Sequence, residues 1–184
     1  QIFLLANLRF TAWPEMFSYP YLRNNGFLMY KDMIHPYPPT LTMVLSSIYQ
    51  VFGYKLIVLK IFTWILILTN SILIYFTGRK LIKPKTNAIY AVLLYVLTQP
   101  FLDGNMLWFD LAITAPLLFS LYFLVNSLNY KKHIKRNLFL VGLFLATATL
   151  IKQTSGLFLI TTYSYLIFRK VKFKNLIFTL LGPV

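Results

Sequence analysis

The sequence predicts an all-α polytopic membrane protein, and three observations support this fold class. Of its 184 residues, 58% are hydrophobic and only 12% are charged, whereas about a quarter of the residues in a soluble domain are charged. Long runs without any charge are the second observation, and short basic clusters between those runs are the third. Because the basic residues do not form one stripe interleaved with aromatics, the net charge of +14 indicates membrane topology and no nucleic-acid partner.

The charge-free runs are predicted to cross the bilayer as helices, since most approach the roughly 20 apolar residues that a crossing needs. Residues 1–12 are expected to be the end of a first transmembrane helix, residues 13–54 a loop, and residues 55–184 the transmembrane bundle. The chain opens and stops inside apolar runs, so a longer protein is expected. The predicted spans lie near 56–78, 86–102, 109–130, 137–151 and 153–168, with the start of another at 175–184.

The basic clusters predict which side of the membrane each loop occupies. The positive-inside rule places all three clusters in the cytoplasm, so the loop 13–54 and the turn 98–110 are expected outside. All four carboxylates of the chain lie in these two outer segments, namely Glu15, Asp32, Asp103 and Asp110. Asp103 suits an ordinary turn, while Asp110 suits either a helix start or a functional site. The clusters are Arg79, Lys80, Lys83 and Lys85; Lys131, Lys132, Lys135 and Arg136; and Arg169, Lys170, Lys172 and Lys174.

The segment 137–168 is too short to cross the membrane twice. It has 32 residues, whereas two crossings of a core about 30 Å thick need about 40 at 1.5 Å per residue. Its polar centre, KQTSG at 152–156, is therefore expected either to thin the membrane locally or to stop below the outer surface inside a protein-lined cavity, with Lys152 near the depth of the outer lipid phosphates. Lys152 would there either bind a lipid phosphate or mark a helix end by snorkelling.

The loop 13–54 is predicted to form two juxtamembrane helices. Pro14 and Glu15 favour a helix start, and the sequence NNG at 24–26 favours its end. The sequence HPYPP at 35–39 cannot be regular structure, and Thr40 is expected to cap a second, amphipathic helix. The rigid link between the helices carries Tyr30, Lys31, Asp32 and His35.

The order of these motifs resembles that of the GT-C membrane glycosyltransferases. An acid shortly after a first membrane helix is followed by NGFLMYKDMIHPYPPTLTMVL, LWFDLAITAPLLFSLYFL and LIKQTSGLFLI. Within this family, the motif order is most similar to that of the branch that contains dolichyl-phosphate-mannose protein mannosyltransferases and aminoarabinose or lipid-A-modifying sugar transferases. The resemblance extends over nearly the whole chain, which corresponds to the N-terminal half of such an enzyme. The resemblance implies a GT-C-like bundle in a bacterial or archaeal plasma membrane. It also implies inverting transfer of a sugar from a polyprenyl-phosphate donor to a glycan, lipid or protein hydroxyl on the outer face.

The resemblance also implies roles for charged residues. Glu15 falls where the first-loop acid acts as general base, Asp110 matches the acid at the start of the fourth helix, and Lys152 matches the basic residue of the short hairpin. The charge on the departing phosphate needs a cation, for which Lys152, Lys31 and Arg23 are the candidates.

One departure from the family pattern leaves the base open. The first-loop acid commonly belongs to an Asp-Glu pair, whereas the residue before Glu15 is Pro14. The base is therefore Glu15, Asp32 or Asp110, and helix capping is the alternative role for Glu15.

Substrate contacts are expected from Asp32, His35, Tyr37 and Trp108. A histidine in this setting also commonly satisfies a loop hydrogen bond. The aromatic residues are predicted either to stack on sugar rings or to form an interfacial belt. These are Trp13, Tyr19, Tyr21, Tyr30, Tyr37 and Trp108.

No cofactor is expected, because the acids and His35 lack a helical ligand spacing such as i, i+4, although a divalent ion shared by the two outer loops stays open. The chain has no cysteine, which excludes thiolate metal sites. Two other classes compete with the enzyme: a non-catalytic lipid-binding subunit or inactive relative, and a transporter fragment.

Overall fold

A computed structural model describes residues 1–102, 105–129 and 133–181 of the chain, and the regular structure in these ranges is helical, without strands. This confirms the all-α fold class that composition predicts. A short 3-10 turn, Gln153–Ser155, separates two of the helices. The helices are α1 (Ile2–Asn7), α2 (Glu15–Asn24), α3 (Thr40–Phe52), α4 (Leu56–Leu81), α5 (Asn87–Leu102), α6 (Phe109–Asn129), α7 (Ile134–Ile151), α8 (Gly156–Phe168) and α9 (Phe173–Leu181).

Three helices of the described chain are long and apolar enough to cross a membrane. They are α4 with 26 residues, α6 with 21 and α7 with 18. Helix α5 has 16 residues and α8 has 13, so at 1.5 Å per residue they reach only about 24 Å and 20 Å, less than the core of a bilayer. Membrane crossing by the segments 86–102, 153–168 and 175–184 therefore stays a prediction.

Helix α6 packs against both α4 and α7. Helix α5 packs on α4, and α9 packs on α7. The α7–α9 contact depends on Gly142, because a Cβ atom built there would lie 1.9 Å from the carbonyl oxygen of Thr179. Small residues allow such close approach between helices in membrane proteins.

Helices α2 and α3 form a hydrogen-bonded pair at one end of this bundle. Helix α2 ends where the NNG sequence predicts, and its last turn is tied to α3 by Arg23, whose Nη1 donates to Ser46 Oγ at 2.8 Å. Asn24 donates to the Ser46 carbonyl at 3.0 Å and accepts from Gln50 at 2.9 Å. Thr40 is not the cap of α3 that the sequence suggests: Pro39 occupies the cap position, and Thr40 is the first helical residue.

Candidate functional site

Two chain segments that are far apart in sequence lie side by side next to the bundle. The Thr11 backbone N–H donates to the Asn105 carbonyl at 3.0 Å, and Thr11 forms a parallel bridge with Met106. The Trp13 indole N–H donates to the Met106 sulfur at 3.0 Å. The ring centroids of Trp13 and Trp108 are 5.1 Å apart. Four contacts therefore hold the segment 11–13 against the segment 105–108.

This pairing brings two of the predicted carboxylates to the same end of the molecule. Helix α2 begins at Glu15 and helix α6 at Phe109. Glu15 follows Trp13 by two residues, and Asp110 follows Trp108 by two residues. The contact between the two tryptophan rings therefore brings these two carboxylates to the same region. Asp110 lies in the first turn of α6, where a carboxylate interacts favourably with the helix dipole.

Asn105 anchors this arrangement and was not identified from the sequence. It is only 4% exposed. Its amide group donates to the carbonyls of Leu5 at 2.8 Å and Leu8 at 3.1 Å, and its oxygen accepts from the Trp64 indole at 2.9 Å. Because these partners are about forty or a hundred positions away along the chain, no local pattern indicates them. Asp103, in the same predicted turn, lies outside the described residues.

The structure joins Asp110 and Lys152, two predicted site residues 42 positions apart. Lys152 Nζ donates to Asp110 Oδ1 at 2.6 Å, and the two side chains are 21% and 55% exposed. An ion pair this accessible contributes at most about 1 kcal/mol to stability. Its clearer effect is geometric, since it fixes the ammonium at the start of α6. An ammonium has three N–H donors, so Lys152 retains two for another anion.

The link 35–39 lies against this ion pair. Gln153, the residue after Lys152, donates from its side chain to the Pro36 carbonyl at 3.3 Å. The Tyr37 ring stacks on Phe109 with centroids 3.8 Å apart, and it meets Trp108 edge-on at 6.1 Å. Tyr37 and Trp108, both predicted substrate contacts, are therefore neighbours of each other and adjoin the start of α6.

Glu15 occupies a different electrostatic environment from Asp110. Its Oε2 atom is buried and accepts no hydrogen bond from the described residues, and no described cation forms an ion pair with it. The pKa of Tyr19, one turn later on α2, is raised by burial and further by the charges of Glu15 and Tyr37. A buried carboxylate oxygen without a partner is costly to the fold, which is typical of a group retained for function.

His35 is buried within the link and both of its ring nitrogens are engaged. It is 5% exposed, with Nδ1 2.6 Å from the Tyr37 carbonyl and Nε2 2.7 Å from Thr42 Oγ1. Since a carbonyl only accepts, Nδ1 carries the proton in the neutral ring and Nε2 accepts from the threonine. This geometry favours a role in holding the link, so direct substrate binding by His35 stays a prediction.

The burial of His35 predicts a pH-dependent stability. Burial lowers the pKa of His35 below its usual 6.5, although the hydrogen bond to Tyr37 opposes this shift. As the pH falls, the unfolded chain therefore takes up the proton first. The stabilisation is complete above about pH 6.5 and is lost as the pH falls through the folded pKa.

We expect the melting temperature of the wild type to fall between pH 7.5 and pH 5, and this slope to flatten in His35→Asn. The variant should also be less stable than the wild type at pH 7.5. His133→Asn is the matched control, because His133 is the other histidine and is exposed, and asparagine tolerates its positive φ of 65°. Parallel pH curves for wild type and His35→Asn would contradict this assignment.

The remaining predicted residues do not join the ion pair through any contact in the described ranges. Arg23 bonds to α3, as given above. Asp32 is exposed, and its Oδ2 accepts from the Leu28 backbone N–H at 2.8 Å. Lys31 is exposed on the same loop. Their assignments to phosphate or substrate binding stay predictions.

An apolar groove is lined in part by residues that are close in sequence to the ion pair. It has a volume of about 210 Å³ and lies between α3, α4, α6 and α7. Two of its lining residues are neighbours of the charged pair: Ile151 precedes Lys152, and Ala112 is two positions after Asp110. The others are Thr40, Leu41, Val44, Phe62, Leu66, Ala115, Pro116, Phe119, Phe144 and Thr147.

Comparison with known proteins identifies the family. Residues 35–184, far more than half of the chain, match the dolichyl-phosphate-mannose-protein mannosyltransferase family. The matched region includes Asp110 and Lys152, and Glu15 precedes it. Comparisons with curated proteins and with solved structures gave no match. The match confirms the resemblance at the level of this family, while the finer branch stays a prediction. The chain therefore belongs to the dolichyl-phosphate-mannose-protein mannosyltransferase family, which makes it a membrane glycosyltransferase of the mannosyltransferase type.

Proposed function

We propose that this protein transfers a mannosyl group from a polyprenyl-phosphate donor to an acceptor hydroxyl, with inversion at the anomeric carbon and with Glu15 as general base. The observation that carries the proposal is the Asp110–Lys152 ion pair, together with an apolar groove whose lining includes Ile151, the residue before Lys152. Family membership supports the mannosyl group and the lipid-linked donor. The proposal needs no metal ion.

A polyprenyl-phosphate donor has an isoprenoid chain and a phosphate group. The groove suits the first part, and the ion pair suits the second. The isoprenoid chain is apolar and is stabilised by an apolar lining that excludes water. The phosphate is anionic and is stabilised by an ammonium with free N–H donors. Ile151 lines the groove and Lys152 follows it in the chain, so the proposal places the phosphate at the end of the groove that is nearest to Lys152.

The reaction then requires a single base. The acceptor oxygen attacks the anomeric carbon, Glu15 removes the hydroxyl proton, and the bond between the anomeric carbon and the phosphate oxygen breaks. Phosphate is already a good leaving group, so the second carboxyl group of a glycoside hydrolase is not needed. Lys152 offsets the charge that grows on the departing phosphate. A single displacement of this kind inverts the anomeric centre.

The two carboxylates differ in their suitability as the base. Asp110 is already bound to the Lys152 ammonium, so its charge is engaged in holding the cation. Glu15 has no cationic partner in the described chain, and its buried oxygen is unpartnered. We therefore assign the proton transfer to Glu15 and the positioning of Lys152 to Asp110.

The basic clusters support an extracytoplasmic location for this site. If the three clusters lie in the cytoplasm, as the positive-inside rule expects, Glu15, Asp110 and Lys152 are all outside. Tyr37 and Trp108 then lie on the same side and are available to contact the transferred sugar.

The test uses purified full-length protein in proteoliposomes that contain radiolabelled polyprenyl-phosphate mannose, together with a mixture of glycan, lipid and serine- or threonine-containing peptide acceptors. We expect label to leave the lipid and enter a new product, whereas GDP-mannose alone yields no product. Proteoliposomes without protein provide the blank. A lipid donor that is not consumed, or efficient transfer from the nucleotide sugar without lipid, would refute the proposed donor.

A further inference from the structure

Trp13 presents an exposed aromatic face two residues before the proposed base. It is 41% exposed although its ring contacts Met106 and Trp108. It immediately precedes Pro14 and the start of α2 at Glu15. A ligand that covers this ring therefore lies next to the carboxylate that removes the acceptor proton.

The orientation of this ring is fixed on several sides. The indole N–H donates to the Met106 sulfur, and the Trp108 ring packs against Trp13 at a tilt of 48°. The backbone next to it is held by the bond between Thr11 and Asn105. A tryptophan has only two side-chain torsions, so these contacts leave it little freedom to lose when a ligand binds.

An interfacial aromatic belt does not account for this geometry. A belt tryptophan places its apolar ring among lipid chains and its N–H among the head groups and water. The N–H of Trp13 instead bonds to the sulfur of Met106, which is 93 positions away along the chain. The polar group of Trp13 is therefore already engaged within the protein, and the carbon atoms of its ring are what it offers to a ligand.

We propose that the exposed face of Trp13 binds a sugar ring of the acceptor, so that the acceptor is a carbohydrate. This inference rests on the proposed function, because it places the acceptor hydroxyl beside Glu15. A pyranose has one face rich in C–H groups and a rim of hydroxyls. The C–H face packs on the aromatic ring, and a rim hydroxyl is then directed toward the start of α2.

The surrounding backbone favours a sugar over a peptide acceptor. Extended peptides are commonly held by main-chain hydrogen bonds to a free backbone edge. Here the Thr11 N–H and the Asn105 carbonyl bond to each other, so the pair offers neither group to a peptide. The surface next to Glu15 presents a ring face in place of a backbone edge, which suits a flat ligand.

The first measurement is binding without donor, so that its result does not depend on turnover. Purified full-length protein is titrated calorimetrically with the methyl glycosides of mannobiose, cellobiose and lactose, and with a peptide that contains serine and threonine. We expect at least one glycoside to bind, with a dissociation constant about tenfold or more higher in Trp13→Leu, the size of effect that aromatic stacking has on other flat ligands. Trp13→Phe, which keeps a ring without the N–H, should recover most of the affinity.

Tyr90→Leu is the control for a general effect of exposed aromatic residues. Tyr90 is 68% exposed on α5 and should leave glycoside affinity unchanged. Melting temperatures of all variants identify any that are misfolded, and if Trp13→Leu is one of them, Trp13→Met replaces it as the variant that lacks the ring. Equal affinity in wild type and Trp13→Leu, binding of the peptide but of no glycoside, or no binding at all would each overturn the inference.

Transfer from polyprenyl-phosphate mannose to the bound glycoside is measured separately. Trp13→Leu should raise the KM for the glycoside by more than it lowers kcat. If glycosides bind through Trp13 but the lipid donor is never consumed, the proposed donor is refuted, whereas the proposed glycoside-binding site is supported.

Discussion

Replacing Glu15 by glutamine should lower the rate of mannosyl transfer by about a hundredfold or more, the usual effect of removing a general base. Glutamine has nearly the same size as glutamate, but it cannot accept the acceptor proton at neutral pH. The rate is measured with full-length protein in proteoliposomes at saturating lipid donor. Glu15→Asp should keep part of the activity, because the carboxylate is retained one methylene group further from the acceptor.

Stability measurements separate this catalytic role from helix capping. A carboxylate that only stabilises the start of α2 contributes about 0.3 to 1 kcal/mol through the helix dipole, so Glu15→Gln would then lower the melting temperature. A buried carboxylate oxygen without a partner is instead a cost, and its neutralisation should leave the melting temperature unchanged or higher. A large loss of rate without loss of stability is the expected combination.

Asp32→Asn provides the comparison among the acids, since Asp32 is exposed and its oxygen already accepts a backbone N–H. We expect its loss of rate to be much smaller than that of Glu15→Gln. The reverse order would move the base to Asp32, which the sequence alone left as an alternative.

Structural features that depend only on residues close together in the sequence could be predicted. Long uncharged runs predicted α4 and α6 because the signal is the composition of the helix itself. Pro14 and Gly26 predicted both ends of α2, since the backbone preferences of proline and glycine act locally. Thr40 was predicted to be the cap of α3, but Pro39 occupies the cap position and the helix begins one residue earlier than predicted, at Thr40.

The contacts that assemble the site could not be predicted in the same way. The bond of Trp13 to Met106 and the anchoring bonds of Asn105 join residues about forty to a hundred positions apart. No periodicity indicates such pairs. Family resemblance identified Asp110 and Lys152 singly, but their ion pair depends on how α6 packs against α7. For His35 the sequence left substrate binding and a loop hydrogen bond as alternatives, and its burial and its bonds to Tyr37 and Thr42 favour the second.

Lys152→Met should also lower the transfer rate by about a hundredfold or more, because a preorganised charge at the site of charge development typically contributes 10² to 10³ in kcat. Methionine keeps the length of the side chain and removes the ammonium. Lys152→Arg retains the positive charge and should keep a larger part of the rate than Lys152→Met. If arginine and methionine lower the rate equally, the charge of Lys152 is not what the reaction needs.

A double-mutant cycle with Asp110 tests how the ion pair acts. If Asp110 serves the reaction by holding Lys152, Asp110→Asn lowers the rate only because the Lys152 ammonium is no longer held in place. The double variant Lys152→Met with Asp110→Asn should then be no slower than Lys152→Met alone. If Asp110 is itself the base, its loss is independent and the two effects multiply. Because the two atoms are 2.6 Å apart in the structure, we expect strong non-additivity. Multiplying losses would transfer the role of base from Glu15 to Asp110.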